Sequence, residues 1–221
     1  MKLHSFLVSL GLLSFLCVLT GCGDDRTKKF NHFAERLENG TPKEKAAAAR
    51  AVASFGDLSR KVVPRLVTMI EHEDAEVRAA VIFAVGRIGV PPETVLDRLH
   101  VVAQSDSSPK VKKEAFLVIK QIGGRERQAS ACVACLDDPQ LQQMVITTLT
   151  ELGPAAEPAK AKLIEGLKDK DLYIRMYSAE ALGNIGPVAA DTVPAIKKLL
   201  KDDSEYVRKA AQEAIKKIRQ E

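Results

Sequence analysis

Tryptophan is absent from the 221 residues, and aromatic side chains make up only 5% of them. Half-buried strands draw on aromatic and β-branched residues, so a chain dominated by Ala, Leu, Val, Ile, Lys and Glu favours helix over sheet. A surplus of one charge is also missing. Thirty-three basic side chains stand against 29 acidic ones, mixed along the chain, for a formal net charge of +4. That balance reads as solvated helical surface, without the basic stripe that phosphate backbones require, and no nucleic-acid partner is expected. No Gly-rich phosphate loop follows a strand, because no convincing strand is legible. Histidine is sparse. Beyond the leader only His32, His72 and His100 remain, far apart and without Cys or carboxylate at ligand spacing, so neither a metal nor another cofactor is expected. Ser-rich "QSDSSPK" reads as loop plus helix cap, since no histidine stands ready as a base.

What is present begins with a leader. Lys2 and His4 precede an apolar run from Phe6 to Leu19, interrupted only by Ser9, Gly11 and Ser14. The run has the length of a signal-peptide core and is short for a membrane-spanning helix. It ends in Leu19-Thr20-Gly21-Cys22, which resembles the lipobox of bacterial lipoproteins. That resemblance implies lipidation of Cys22 and cleavage after Gly21. The expected product is exported and anchored to a bacterial membrane on the envelope side. Residues 1–21 are then a removed signal peptide, 22–27 a lipidated amino terminus with a short polar tether, and 28–221 the folded domain.

The remainder repeats. Lys45, Arg78, Lys112, Gln142, Arg175 and Arg208 recur at intervals of 33, 34, 30, 33 and 33 residues. Four positions before each stand Thr41, Asp74, Ser108, Asp138, Asp171 and Ser204, all residue types that cap helix N-termini. Pro42, Pro109 and Pro139 follow, where a missing amide costs nothing. Thr41 with Glu44 fits a capping box. Eleven positions after the first five anchors come Gly56, Gly89, Gly123, Gly153 and Gly186, read as left-handed helix stops. Each capped helix follows another amphipathic segment: 28–38, 62–71, 93–104, 125–136, 157–167 and 192–201. In the last five of these, Leu66, Leu99, Cys132, Leu163 and Ile196 are equivalent. The unit is a helix–turn–helix of about 33 residues, in the period range of α-solenoids. The fold expected is therefore all-α, an α-solenoid of about six such repeats.

"DAEVRAAVIFAVGRIG", "DLYIRMYSAEALGNIG" and "SEYVRKAAQEAIKKI" resemble the second helices of HEAT repeats, closest to the short bacterial and phycobilin-lyase-like subtype. The resemblance covers the mature chain. It implies that the Asp and the Arg or Lys of successive units tie the stack together, and that second helices line a concave binding side. Repeat four departs from the pattern, with Gln142 as its anchor and an interhelix loop two residues shorter, so a local change of twist is expected there. The resemblance offers two enzyme readings. HEAT-like di-iron hydroxylases carry His-Glu directly after the anchor, where this chain has Ala79-Ala80, Lys113-Glu114, Gln143-Met144 and Met176-Tyr177. A bilin-lyase-type activity remains the alternative, set against an export signal. The reading favoured is a membrane-anchored protein-binding scaffold, not an enzyme, with an unknown protein partner and a lipid anchor at Cys22.

Two further readings concern individual residues. Cys132 and Cys135 form a CxxC pair, but both fall at apolar repeat positions and read as small buried hydrophobes, an oxidised pair being the other possibility. Positions two, five and nine after each anchor are expected to face away from the core. In repeats two to five they place Phe83, Leu117, Met144 and Tyr177 in an apolar stripe rimmed by Arg87, Gln121, Glu151 and Asn184. Those eight residues are the candidate partner-binding face. Repeats one and six carry charged or small residues at the same places and read as solvated.

Overall fold

The computed structural model describes residues 25–89 and 93–220, so Cys22 and the leader lie outside the described residues. The described residues are helical, arranged in six helix pairs. The chain falls into two compact units, one ending at Pro91 and the other beginning at Pro92. The first contains α1 (25–39), α2 (Pro42–Val52), α3 (Val63–Thr68) and α4 (Ala75–Ile88). The second contains α5 (Glu93–Ser105), α6 (Pro109–Ile122), α7 (Gly124–Cys135), α8 (Gln142–Leu152), α9 (Lys160–Gly166), α10 (Leu172–Ile185), α11 (Val193–Lys198) and α12 (Glu205–Arg219). Odd-numbered helices are the first of each pair and even-numbered ones the second. No described helix is long and apolar enough to cross a membrane.

The repeat register holds at the core. Leu66, Leu99, Cys132, Leu163 and Ile196, equivalent by sequence, are all fully buried. Each large side chain buried in this way contributes roughly 1.5–3 kcal/mol. In the first unit α2 packs on α4, and the Phe30 and Phe55 rings meet edge-on at 5.7 Å. In the second, α6 packs on α5 and α7, while α8, α10 and α12 lie side by side.

Side-chain caps close the starts of α2, α4 and α10. Thr41 and Glu44 form the reciprocal capping box, Asp74 accepts from the amides of Glu76 and Val77, and Asp171 accepts from Tyr173. Four expectations need correction. Helix α1 begins by residue 25, not 28; its first turn is supported by an Asp25–Lys29 pair at 3.0 Å and an Arg26 guanidinium donating to the Phe55 carbonyl. Ser108 and Ser204 sit at helix starts without a side-chain cap bond. Gly89 is the left-handed stop expected, but Gly153 and Gly186 combine positive φ with ψ of −127° and −150°, and Gly123 is right-handed, the positive φ of +68° falling on Gly124 instead. In repeat four the helix starts at Gln142, leaving Asp138 and Pro139 in the preceding turn.

Asp138 has a different duty. Its carboxylate accepts the amide of Gln140, as Asp106 does for Ser108, Asp169 for Asp171 and Asp202 for Ser204. His72 fills that place in repeat two, its Nδ1 accepting from the Asp74 amide at 3.0 Å. Within the second unit, Asp138, Asp169 and Asp202 also receive the anchor of the repeat before. Lys112 Nζ lies 2.8 Å from Asp138 Oδ2, Gln142 Nε2 3.5 Å from Asp169 Oδ2, and Arg175 meets both oxygens of Asp202 at 2.8 and 2.9 Å. Arg175 and Arg208 also donate to backbone carbonyls of the turn between the two helices of their own repeats. The loop shortened by two residues keeps this joint because Asp138 stands two places nearer its anchor.

The first members of pairs two, five and six are broken helices. Pro64, Pro158 and Pro194 each fall where a 3-10 stretch hands over to a short α-helix. Proline lacks the amide that would continue the ladder and disfavours helical backbone at the residue before it.

Candidate functional site

The residues nominated from spacing all lie on second helices, but their environments differ. Phe83 and Leu117, each five places after its anchor, are both 38% exposed in spite of their size. Arg87 and Gln121 are exposed on the same two helices, α4 and α6. Met144 and Tyr177 are half-buried on the packed pair α8 and α10. Ala80, two places after its anchor, is fully buried, which corrects the expectation that this position faces outward in every repeat. Ala210 at the same register position is buried as well, whereas Ala47 is exposed and the larger Met144 and Tyr177 keep part of their surface open. Phe83 and Arg87 belong to the first unit and the other six residues to the second.

The polar members are bonded. Glu151 receives Lys120 Nζ at 2.8 Å, a contact between α8 and α6. Asn184 donates to the Thr150 carbonyl at 2.9 Å and accepts from Lys217 Nζ at 2.8 Å, so one amide joins α8, α10 and α12. These two side chains hold second helices in register as well as bordering the face.

A groove that sequence spacing missed lies between α10 and α12. It has a volume of about 370 Å³ and is lined by Met176, Glu180, Asn184, Tyr206, Lys209, Ala210, Glu213 and Lys217. Tyr206 is 71% exposed at its mouth. The tyrosine stands two places before its anchor, as does Tyr173 in repeat five, itself 52% exposed. That position was not on the outward-facing set because it belongs to the first turn, where a side chain projects past the neighbouring helix. Repeat six, read as solvated, thus supplies half of the groove. The signal available was the recurrence of tyrosine at one register position in repeats five and six.

Charge in this groove is partly matched. Lys209 pairs with Glu205 at 2.7 Å, Glu213 with Lys216 at 2.9 Å, and Lys217 bonds to Asn184. Glu180 differs: burial raises its carboxyl above the usual carboxylate range, and the nearby Lys217 charge only partly offsets this.

The cysteines are free and buried. Burial first, and the adjacent Cys135 second, push the Cys132 thiol up to about 12. Burial first, and Asp138 second, push Cys135 up to about 11. Cys135 Sγ donates to the Ala103 carbonyl at 3.5 Å. Thiols held this far from ionisation are packing groups, not nucleophiles.

Comparison with known proteins agrees with this architecture. The sequence profile of HEAT repeats matches residues 30–120 and 129–216. Two engineered proteins of known structure are similar in fold, each with a TM-score of 0.60 and 21% identity. The alignment with one covers 87% of this chain and 97% of that protein; with the other it covers 86% and 58%. Human deoxyhypusine hydroxylase in complex with glycerol is more distant, at a TM-score of 0.46 and 18% identity over 87% of this chain and 85% of that one. No curated protein sequence matches.

Proposed function

Because this chain belongs to the HEAT-repeat family, we propose that it is an exported, lipid-anchored scaffold that binds a protein partner through the face made by its second helices, without catalysis of its own. The observation that carries the reading is that each unit leaves a large apolar side chain exposed at the same register position of a second helix, Phe83 in the first unit and Leu117 in the second, 38% each. Large apolar side chains left in water at repeated places are what a partner-binding patch supplies. Solenoids bind in this manner because stacked units offer a long surface and need no enclosed pocket.

The anchor rests on Leu19-Thr20-Gly21-Cys22 and the apolar run before it. Each buried acyl methylene is worth about 0.8 kcal/mol, so two or more chains hold the protein durably. Helix α1 begins by residue 25. Two residues after Cys22 span at most about 7 Å, so the first repeat would lie against the headgroups. Lys28 and Lys29 would there favour anionic lipid by roughly 1 kcal/mol each.

The test has two parts. Cys22→Ser should accumulate as precursor and leave the detergent phase; a mature chain with an unmodified Cys22 thiol would overturn the anchor. Crosslinking in intact membranes should capture a partner that Phe83→Ala with Leu117→Ala loses at unchanged melting temperature. A melting temperature lowered by many degrees in that double variant would show these side chains to be core and overturn the face.

A further inference from the structure

We propose that the groove between α10 and α12 receives a lysine or arginine side chain of the bound protein segment, with Glu180 as its counter-ion and the Tyr206 ring against the cation. The proposal rests on the scaffold reading above and specifies what one part of that face recognises.

Among the charged groups lining the groove, Glu180 alone has no hydrogen bond or ion pair with another described residue. Lys209 is engaged by Glu205, Glu213 by Lys216, and Lys217 by Asn184. Glu180 is half-buried on α10, five places after its anchor. Lys217 is close enough to stabilise the charged carboxylate, yet the cost of burial outweighs it. A partly desolvated carboxylate left under-compensated in this way gains most from a cation that brings its own hydrogen bonds.

The rest of the groove suits the remainder of such a side chain. Met176 offers a pliable apolar wall for a methylene stem. Tyr206, 71% exposed, presents a ring that nothing in the repeat requires for packing. Aromatic faces attract ammonium and guanidinium groups within about 6 Å. The volume of 370 Å³ is at the lower end of ligand sites, enough for one side chain with its adjacent backbone. An acidic segment is the competing occupant, since Lys209 and Lys217 also border the groove. It is disfavoured because both lysines already have partners and an incoming carboxylate would meet Glu180.

The experiment uses the full chain in detergent micelles, with its methionine methyls labelled for NMR. The probes are blocked pentapeptides with lysine, arginine, glutamine or glutamate at the centre of four glycines. Lysine and arginine peptides should move the Met176 methyl with Kd on the order of millimolar, as expected for a single side-chain site, and leave Met69 and Met144 in place. Glu180→Gln should weaken that binding at least tenfold and Tyr206→Leu roughly fivefold. Lys217→Met, which removes the competing cation, should tighten it. Equal shifts with the glutamine or glutamate peptide, or undiminished lysine binding by Glu180→Gln, would overturn the proposal. Crosslinking of wild type in membranes reads the scaffold function separately. A partner captured there while the lysine peptide fails overturns the groove assignment alone.

Discussion

At the scale of single residues, the sharpest constraints sit where helices come closest. Gly183, in the last turn of α10, faces Ala214 of α12: a Cβ there would lie 2.7 Å from the Ala214 Cα and 2.9 Å from its Cβ. Helix propensity alone favours alanine over glycine by up to about 1 kcal/mol. Overpacking against backbone costs about 1–3 kcal/mol, so packing decides the sign. Gly183→Ala should lower the melting temperature by several degrees in a thermal scan, at roughly 2–4 °C per kcal/mol for a chain of this size. Elsewhere on α10, Ser178 buries its hydroxyl without a hydrogen-bond partner, in the space that Gly166 leaves open. The cysteines make a second residue-scale prediction. With thiols pushed up to about 12 and about 11, Cys132 and Cys135 should react with iodoacetamide at pH 8 far more slowly in the folded protein than in urea. Equal rates would contradict their burial.

At the scale of elements, the two ends of a helix were not equally legible. Caps of the Thr41 kind carry both partners in the local sequence, and the box formed as expected. Thr41→Ala should cost about 1 kcal/mol in urea unfolding, whereas Ser108→Ala should cost only a few tenths, because Ser108 makes no cap bond. Equal losses at the two sites would mean that the distinction between them is wrong. The prolines of the first helices were also readable in principle. Pro64 and Pro194 recur at one register position, two places before Leu66 and Ile196, whereas Pro158 stands three places earlier in its repeat; all three first helices break into 3-10 and α pieces. Repeat four shows the limit of a local reading. Asp138 looks like a cap by its distance from Gln142, yet its carboxylate turns to the Gln140 amide and to Lys112, 26 residues earlier.

At the scale of the molecule, the joints of the second unit bring a dependence on pH. Hydrogen bonding and charge from Lys112 hold the Asp138 carboxyl below its ordinary value, and Arg175 does the same for Asp202. A carboxyl lowered on folding stabilises fully above its unfolded value, near 3.9, and that contribution fades as pH falls through the lower folded value. The second unit should therefore lose protection below about pH 4. Hydrogen exchange in α8, α10 and α12 should accelerate between pH 5 and pH 3, beyond the intrinsic change in exchange rate. In Asp202→Asn that acceleration should be smaller, from a weaker starting point. Removing one partner of the Arg175–Asp202 pair leaves the other half-buried and unmatched, at a cost of about 2 kcal/mol.

Period, helix pairing and the burial of Leu66, Leu99, Cys132, Leu163 and Ile196 were all determined by the sequence itself. Each follows from interactions within about 33 residues, where spacing converts directly into a helical face. The groove between α10 and α12, the bridging roles of Glu151 and Asn184, and the burial of Ala80 were decided by tertiary structure. Their cause is the distance between adjacent second helices, which depends on the sizes of both partners at each contact. Glycine at 183 against alanine at 214 draws α10 and α12 together, while Tyr206 at the first turn remains outside the contact. Helical spacing states which way a residue points from its own axis; how near the next axis comes is a property of the pair.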